Sequence, residues 1–186
     1  MVYDVEKRKA RRLLEKHLSV RPGPWIVKSK LRTLSFFGGL IKAKLGVDGI
    51  ALDPQGTWLY YAPMTQDSVY RIETKYLKDE SLSKRGLADK VERYGPKPLC
   101  DGIEMDAQGN LYITDVEHGS IMRIDGQRRL KTFMHSPLVR WPDGMSAAAN
   151  GYLYVTDSDL GEVLFRSKEN IKKSAPFYIY RIKIPE

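Results

Sequence analysis

Three aspartates that each precede a glycine are the strongest candidates for chemistry in this sequence. Asp48, Asp101 and Asp143 are separated by 53 and 42 residues, and each lies in a similar ten-residue run. If these runs are equivalent strands, the three carboxylates point toward a common axis, where they repel one another unless a cation or protons join them. Oxygen-only ligands favour Ca²⁺ or Mg²⁺ over zinc. The aspartates are predicted to bind a small molecule or a divalent cation. The alternative is structural, since Asp before Gly hydrogen-bonds nearby amides.

A second polar group follows a predicted strand of the second run. Asp115, Glu117 and His118 lie in one turn, and turns of this kind lie on one face of a repeat protein, where they can contact a ligand. Asp115 and His118 are therefore predicted ligand contacts, and an ordinary exposed turn is the alternative. The sequence contains no G-x-S-x-G, P-loop or H-E-x-x-H motif, which argues against serine hydrolases, phosphate-cradling loops and zinc peptidases.

Each Asp-Gly pair opens a repeat that predicts antiparallel strands. The runs at 47–56, 100–109 and 142–151 are each followed by a Leu-Tyr pair. Alternating apolar residues predict an inner strand, a glycine turn ends it, and the Leu-Tyr segment favours a second strand. In the second repeat, a third strand ending at Arg123-Ile124 and a fourth near 130–133 complete the unit. Units of this size that must stack to bury both faces are typical of β-propeller blades.

Two insertions interrupt the repeats. Residues 74–90 predict a helical or irregular connection, and residues 158–177 predict a loop or short helix on one rim. Long insertions at a blade edge often shape a ligand mouth, and ordinary loop variation is the alternative.

Charge is unevenly distributed along the 186 residues, whose formal net charge is +8. Residues 1–45 contain 12 Lys and Arg against 3 Asp and Glu, and the cluster at 7–12 predicts a localisation tag, a nucleic-acid patch or a solvated face. Because no nucleic-acid-binding motif accompanies the cluster, a nucleic-acid partner is not expected. Cys100 is the only cysteine, so no internal disulfide forms. No apolar run approaches the roughly 18 residues that a membrane span needs, and no membrane contact is expected.

Three paired segments and one closing segment carry a resemblance to a known family: 46–53 with 58–64, 101–103 with 109–118, 141–144 with 151–157, and 176–184. In combination they resemble the yellow / major royal jelly protein family in its bacterial form. Residues 2–5 and 12–20 resemble an internal strand pair of the same family. The resemblance therefore extends over essentially the whole chain.

The resemblance implies an all-β fold, a six-bladed β-propeller related to the SMP-30/gluconolactonase-like propellers. Family members are about twice as long, so this chain is expected to hold about three four-stranded blades, half of the ring. Residues 1–45 are then a basic segment that supplies the outer strands of a partial blade, and residues 46–186 hold three repeats that start near 46, 99 and 141. A homodimer or a separately encoded N-terminal half is expected to complete the ring. The chain shows no export signal, but family members are often exported through a signal in the absent half, which leaves the compartment open.

The resemblance also ranks the functions. A small-molecule-binding propeller with its ligand in the axial funnel is favoured. The first alternative is a metal-dependent, lactonase-like hydrolase that uses Ca²⁺ or another divalent cation. In the enzymes of that type, the resemblance implies that the Asp of a Pro-Asp-Gly motif is a metal ligand. Asp143 matches this motif, while Asp48 and Asp101 match it by repeat position. The second alternative is a non-enzymatic interaction scaffold with a basic N-terminal patch. Whether the protein is an enzyme is left open; if it is, a lactone hydrolase is expected.

Overall fold

The computed structural model describes residues 1–29, 32–36 and 41–185. Residues 30, 31 and 37–40 of the predicted N-terminal segment 1–45, and residue 186 of the predicted segment 46–186, lie outside the described residues. The N-terminal part forms two short antiparallel hairpins, and a single 3-10 turn, Leu18–Val20, lies between them. The hairpin strands are β1 (Val2–Asp4) with β2 (Lys9–Arg11), and β3 (Ser35–Phe36) with β4 (Ile41–Lys42).

The first blade is a four-stranded antiparallel sheet in sequential order. Its strands are β5 (Val47–Leu52), β6 (Trp58–Pro63), β7 (Ser68–Glu73) and β8 (Glu92–Pro96). The predicted helical insertion is confirmed, because α1 (Thr74–Lys78) and α2 (Lys84–Ala88) connect the third strand to the fourth. The turn between β5 and β6 places Gly56 at φ +67°, a conformation that glycine adopts without strain.

The second blade repeats this order with β9 (Ile103–Met105), β10 (Leu111–Asp115), β11 (Ser120–Ile124) and β12 (Leu130–His135). The hairpin from β9 to β10 is held by Asp106, whose carboxylate accepts the backbone N–H groups of Gln108 and Asn110 and the hydroxyl of Tyr112. The glycine turn that the sequence predicts after the inner strand is therefore present, with Gly109 at φ +82°.

The third sheet contains β13 (Pro142–Ala148), β14 (Tyr152–Asp157) and β15 (Tyr178–Lys183). The repeat predicts four strands, but among the described residues this sheet has three. After β14 the chain forms α3 (Leu160–Val163) and α4 (Lys168–Ser174), the predicted rim insertion, before it returns as β15.

Successive blades bury their apolar faces against each other. One cluster joins Ala51, Val69 and Tyr94 of the first blade to Ile103 and Leu111 of the second. A second cluster packs the second blade on the third, and its buried members are Tyr112, Ile121, Leu153 and Val155. Each Val, Leu or Ile side chain among them contributes roughly 1.5–3 kcal/mol when fully buried. This stacking of four-stranded sheets is the β-propeller architecture, with about three blades. No helix among the described residues is long and apolar enough to cross a membrane.

Candidate functional site

The three predicted aspartates lie at the same end of neighbouring inner strands. Asp48 is on β5, Asp143 is on β13, and Asp101 lies two residues before the start of β9. The inner strands approach closely at the glycines that follow, because a Cβ atom at Gly102 would lie 2.2 Å from the backbone oxygen of Asp143, and one at Gly49 would lie 2.9 Å from the next inner strand. The Asp-Gly pair therefore has a physical reason: glycine allows the strands to meet, which brings the carboxyl groups together.

Asp101 is held in place by a buried tryptophan. The indole Nε1–H of Trp141 donates to Asp101 Oδ2 at 2.7 Å, and the Trp141 side chain is fully buried. The backbone N–H groups of Asp101 and Gly102 both donate to the hydroxyl of Thr114, at 2.9 and 3.0 Å. The third blade repeats the second contact, since Gly144 N–H donates to the Thr156 hydroxyl at 3.0 Å.

The position of Trp141 depends on the next repeat. Asp157, at the end of β14, is almost completely buried and accepts the backbone N–H of Trp141 at 2.7 Å and the guanidinium Nε–H of Arg140 at 3.0 Å. Asp157 corresponds to Asp115 in the second repeat, and both residues end the second strand of their blade. Asp157 therefore supports the tryptophan that holds Asp101.

The electrostatics single out Asp101 among the three. Its pKa is raised to about 7, mainly by burial and also by the hydrogen bond to Asp48 and the charges of Asp143 and Asp48, while the Trp141 hydrogen bond acts in the opposite direction. Beside it, burial raises the pKa of the Cys100 thiol, and the Lys97 ammonium lowers it. A carboxyl with these neighbours exchanges a proton near neutral pH and attracts a cation when it is ionised.

A resident metal ion is not supported by this arrangement. Among the described residues, no group of three or more His, Cys, Asp or Glu side chains is placed to hold a metal ion. Asp48, Asp101 and Asp143 are neighbours but do not form such a set. The predicted metal-ligand role of these three residues therefore stays a prediction, and we assign no reaction step to a metal.

Asp115 and His118 form a separate pair. His118 Nδ1 lies 2.9 Å from both carboxylate oxygens of Asp115, and the His118 backbone N–H also donates to Asp115 at 3.2 Å. This hydrogen bond raises the pKa of His118. Asp115 is buried at the end of β10, while His118 is exposed on the surface.

The N-terminal segment contacts the loops of the second and third blades, which the sequence did not predict. Lys28 N–H donates to Glu117 at 2.8 Å, and the Arg32 guanidinium donates to the backbone oxygens of Gly161 and Leu164 at 2.5 and 2.8 Å. Buried Val27 packs in one cluster with Trp141 and its neighbours. The segment therefore joins the loop of the second blade to α3 of the third. The sequence predicts outer strands of a partial blade for residues 1–45 but does not indicate these contacts, so only the tertiary structure reveals this role.

The basic cluster near the N-terminus is partly neutralised. Arg11 donates to the backbone oxygens of Leu77 and Lys78 at 2.8 and 3.3 Å, and Lys7 lies 3.6 Å from the Glu80 carboxylate. These contacts connect the β1–β2 hairpin to the helical insertion of the first blade. The interaction-scaffold alternative gains no support from them.

Three solved structures are similar to this chain in fold. Regucalcin from Agrobacterium tumefaciens, a calcium-binding protein, has 17% identity and a TM-score of 0.52, and the match covers 82% of this chain and 51% of regucalcin. A luciferin-regenerating enzyme has 16% identity and a TM-score of 0.52, with 76% of this chain and 46% of the enzyme covered. A gluconolactonase from Xanthomonas campestris has 16% identity and a TM-score of 0.46, with 64% and 39% covered. The chain thus spans about half the length of regucalcin and of the luciferin-regenerating enzyme.

Comparison with curated proteins gives no significant match. The family model for major royal jelly protein matches residues 1–183. That range includes all three Asp-Gly repeats and the N-terminal hairpins, so the chain belongs to the major royal jelly protein family.

Proposed function

We propose that this chain belongs to a small-molecule-binding propeller whose ligand lies at the axial end of the blades, between Asp48, Asp101 and Asp143. One observation carries the proposal: Asp101 is kept partly buried beside two other carboxyl groups and is oriented by the buried indole of Trp141. Such a placement costs folding free energy, and ionisable groups with strongly perturbed pKa values concentrate at functional sites.

The charge of the cluster indicates the class of ligand. Three neighbouring carboxyl groups repel one another when ionised, and an opposite charge within about 4–6 Å relieves that repulsion. Since the described residues form no three-ligand metal set, an organic ammonium ion is a better match than a metal ion. An ammonium group also donates hydrogen bonds in several directions, which suits carboxylates that approach from three different strands.

Isothermal titration calorimetry tests this proposal with 1,4-diaminobutane as the organic cation. We expect saturable binding at pH 8 that is lost in Asp101→Asn and retained in Asp89→Asn, an exposed aspartate at the end of α2 that serves as the charge-matched control. Equal binding by both variants, or no binding by the parent chain, would contradict the axial site.

Metal-dependent lactone hydrolysis is the second candidate, because regucalcin is a calcium-binding protein of similar fold. The matching test adds Ca²⁺ and a simple lactone to the parent chain and to Asp143→Asn. Lactone opening that needs Ca²⁺ and is lost in Asp143→Asn would favour this second function over the first. Unchanged lactone in a folded parent chain would argue against it.

We also propose that a second copy of the chain completes the ring, with a separately made N-terminal half as the alternative. Two exposed apolar surfaces support this proposal. On the inner strand of the first blade, Ile50 and Leu52 are 60% and 53% exposed, and on the last strand of the third blade Ile179 is 71% exposed. Blade faces of this kind are normally buried against a neighbouring blade. Two copies related by a two-fold axis bury both kinds of face.

A further inference from the structure

A groove separate from the axial aspartates lies between the N-terminal segment and the loops of the first two blades. Its volume is about 780 Å³. Its lining residues come from the N-terminal segment, from the loops before β7 and β9 and from the turn after β10: Pro24, Trp25, Ile26, Lys28, Ser29, Asp67, Lys97, Pro98, Leu99, Glu117 and His118. None of the three axial aspartates lines it.

One imidazole nitrogen of His118 is hydrogen-bonded to Asp115, and the other can accept a proton. Asp115 accepts from Nδ1 at 2.9 Å, and this carboxylate is only 10% exposed, so it fixes the ring and places the neutral ring's proton on Nδ1. The basic lone pair then lies on Nε2, and the His118 side chain is 70% exposed in the groove. A histidine oriented by a buried carboxylate in this way is the arrangement that general bases use.

Three of the four other charged residues that line the groove contact the protein, and the fourth is the exposed Lys28. The Lys97 ammonium donates to the backbone oxygens of Gln66 and Pro98 at 2.6 and 3.0 Å. Glu117 accepts the backbone N–H of Lys28 at 2.8 Å. Asp67 accepts the hydroxyl of Ser68 at 2.8 Å. These contacts fix the walls, so that a proton donor entering the groove meets His118 as the group positioned to accept the proton.

The remaining surface of the groove is apolar and partly aromatic. Trp25 is 52% exposed and lines the groove together with Pro24, Ile26 and Leu99. An indole of this exposure offers a flat face that pairs well with another aromatic ring, in offset or edge contact. Flat aromatic molecules therefore suit this groove better than flexible polar chains.

We propose that the groove binds a flat aromatic molecule with an acidic O–H group and that His118 accepts the proton of that group. In this step the ligand O–H bond breaks, its electron pair stays on the ligand oxygen, and the proton forms the Nε2–H bond of an imidazolium. Asp115 is a positioning residue, since its negative charge stabilises the imidazolium without contacting the ligand. The proton returns to the ligand or passes to water when the ligand leaves. This site is independent of the axial function proposed above.

The test uses 4-nitrophenol, whose colour reports its ionisation. We expect saturable binding of 4-nitrophenol to the full chain. The colour change of the bound probe should have its midpoint at a pH about 1 unit lower than that of the free probe, because an imidazolium within hydrogen-bond distance stabilises the phenolate. His118→Gln should abolish this change of midpoint. His135→Gln is the matched control, since His135 bonds to Ser120 on the second blade and does not line the groove.

The positioning role of Asp115 is tested by a measurement on the His118 ring itself, which reports more than whether the chain is folded. In an NMR titration of the ring protons, Asp115→Asn should lower the pKa of His118, because the Asp115 hydrogen bond is what raises it. The proposal is overturned if 4-nitrophenol does not bind, if its bound midpoint equals that of the free probe, or if the change of midpoint persists in His118→Gln. An unchanged His118 pKa in folded Asp115→Asn would equally remove the positioning role.

Discussion

Replacing Asp101 by asparagine should make the chain more stable, and increasingly so as the pH rises. The folded chain raises the pKa of this carboxyl from 3.8 to about 7. Between these two values the unfolded chain ionises Asp101 while the folded chain keeps it protonated, so stability falls as pH rises through this window. Each pH unit corresponds to about 1.4 kcal/mol, which gives at most about 4 kcal/mol for the whole window and roughly 3 kcal/mol between pH 5 and pH 7.

Asparagine imitates the protonated acid and can still accept the Trp141 hydrogen bond, so it removes the pH-dependent cost and keeps the contact. Urea denaturation of the parent chain and of Asp101→Asn at pH 5, 6, 7 and 8 measures the difference directly. We expect the stability advantage of the variant to grow by up to about 3 kcal/mol between pH 5 and pH 7 and then to level off. Asp89→Asn, which removes an exposed carboxylate, is the matched control.

A difference between parent and Asp101→Asn that does not change with pH would refute the reasoning. It would mean that Asp101 is ionised in the folded chain throughout this range, and that the neighbouring carboxyl groups do not hold a proton. A steady loss of stability in Asp101→Asn at every pH would assign the residue a structural role, the alternative that the Asp-Gly pattern also allows.

Other predictions concern packing, the rim insertion and assembly. Gly102→Ala should destabilise the chain by about 1–3 kcal/mol in thermal or chemical unfolding, because its Cβ would meet the backbone of the neighbouring strand. Gly126→Ala is the control and should not destabilise the chain in this way, because Gly126 has open space around it. Equal effects of the two substitutions would contradict the close approach of the strands. Arg140→Ala should increase proteolytic cleavage within 158–177, because Arg140 also donates to the backbone oxygens of Ser174 and Pro176, and unchanged cleavage would show that other contacts hold the insertion. Light scattering after size exclusion should give twice 21.3 kDa for a ring of two copies, and a monomeric mass at micromolar concentration would exclude that ring.

Much of the fold could be predicted because its signals are local. The alternation around Ile103 and Met105, the Asp106 turn and the strand-favouring residues after Gly109 each specify structure within a few residues, and the structure confirms the blade that they predict. The close approach of the Asp-Gly pairs also follows from the repeat, since equivalent positions of stacked blades must lie at the same end.

The support of the site could not be predicted, because it depends on contacts between distant residues. The bond from Trp141 to Asp101 spans 40 positions in the chain, and the contact from Lys28 to Glu117 spans 89. No local pattern marks either pair. The burial that raises the pKa of Asp101 likewise depends on how the blades and the N-terminal segment pack together. The resemblance therefore favoured Asp143 as a ligand, whereas the structure distinguishes Asp101.

The most direct test of the axial site is whether binding of a cation displaces a proton from Asp101. Calorimetric titration with 1,4-diaminobutane at pH 6.5, in two buffers of different ionisation enthalpy, measures the number of protons released. We predict a release that approaches one proton per bound molecule, that vanishes at pH 8.5 and that is absent in Asp101→Asn. Binding at pH 6.5 without proton release, or with the same release from Asp101→Asn, would contradict the claim that Asp101 is protonated in the free chain and binds the cation as a carboxylate.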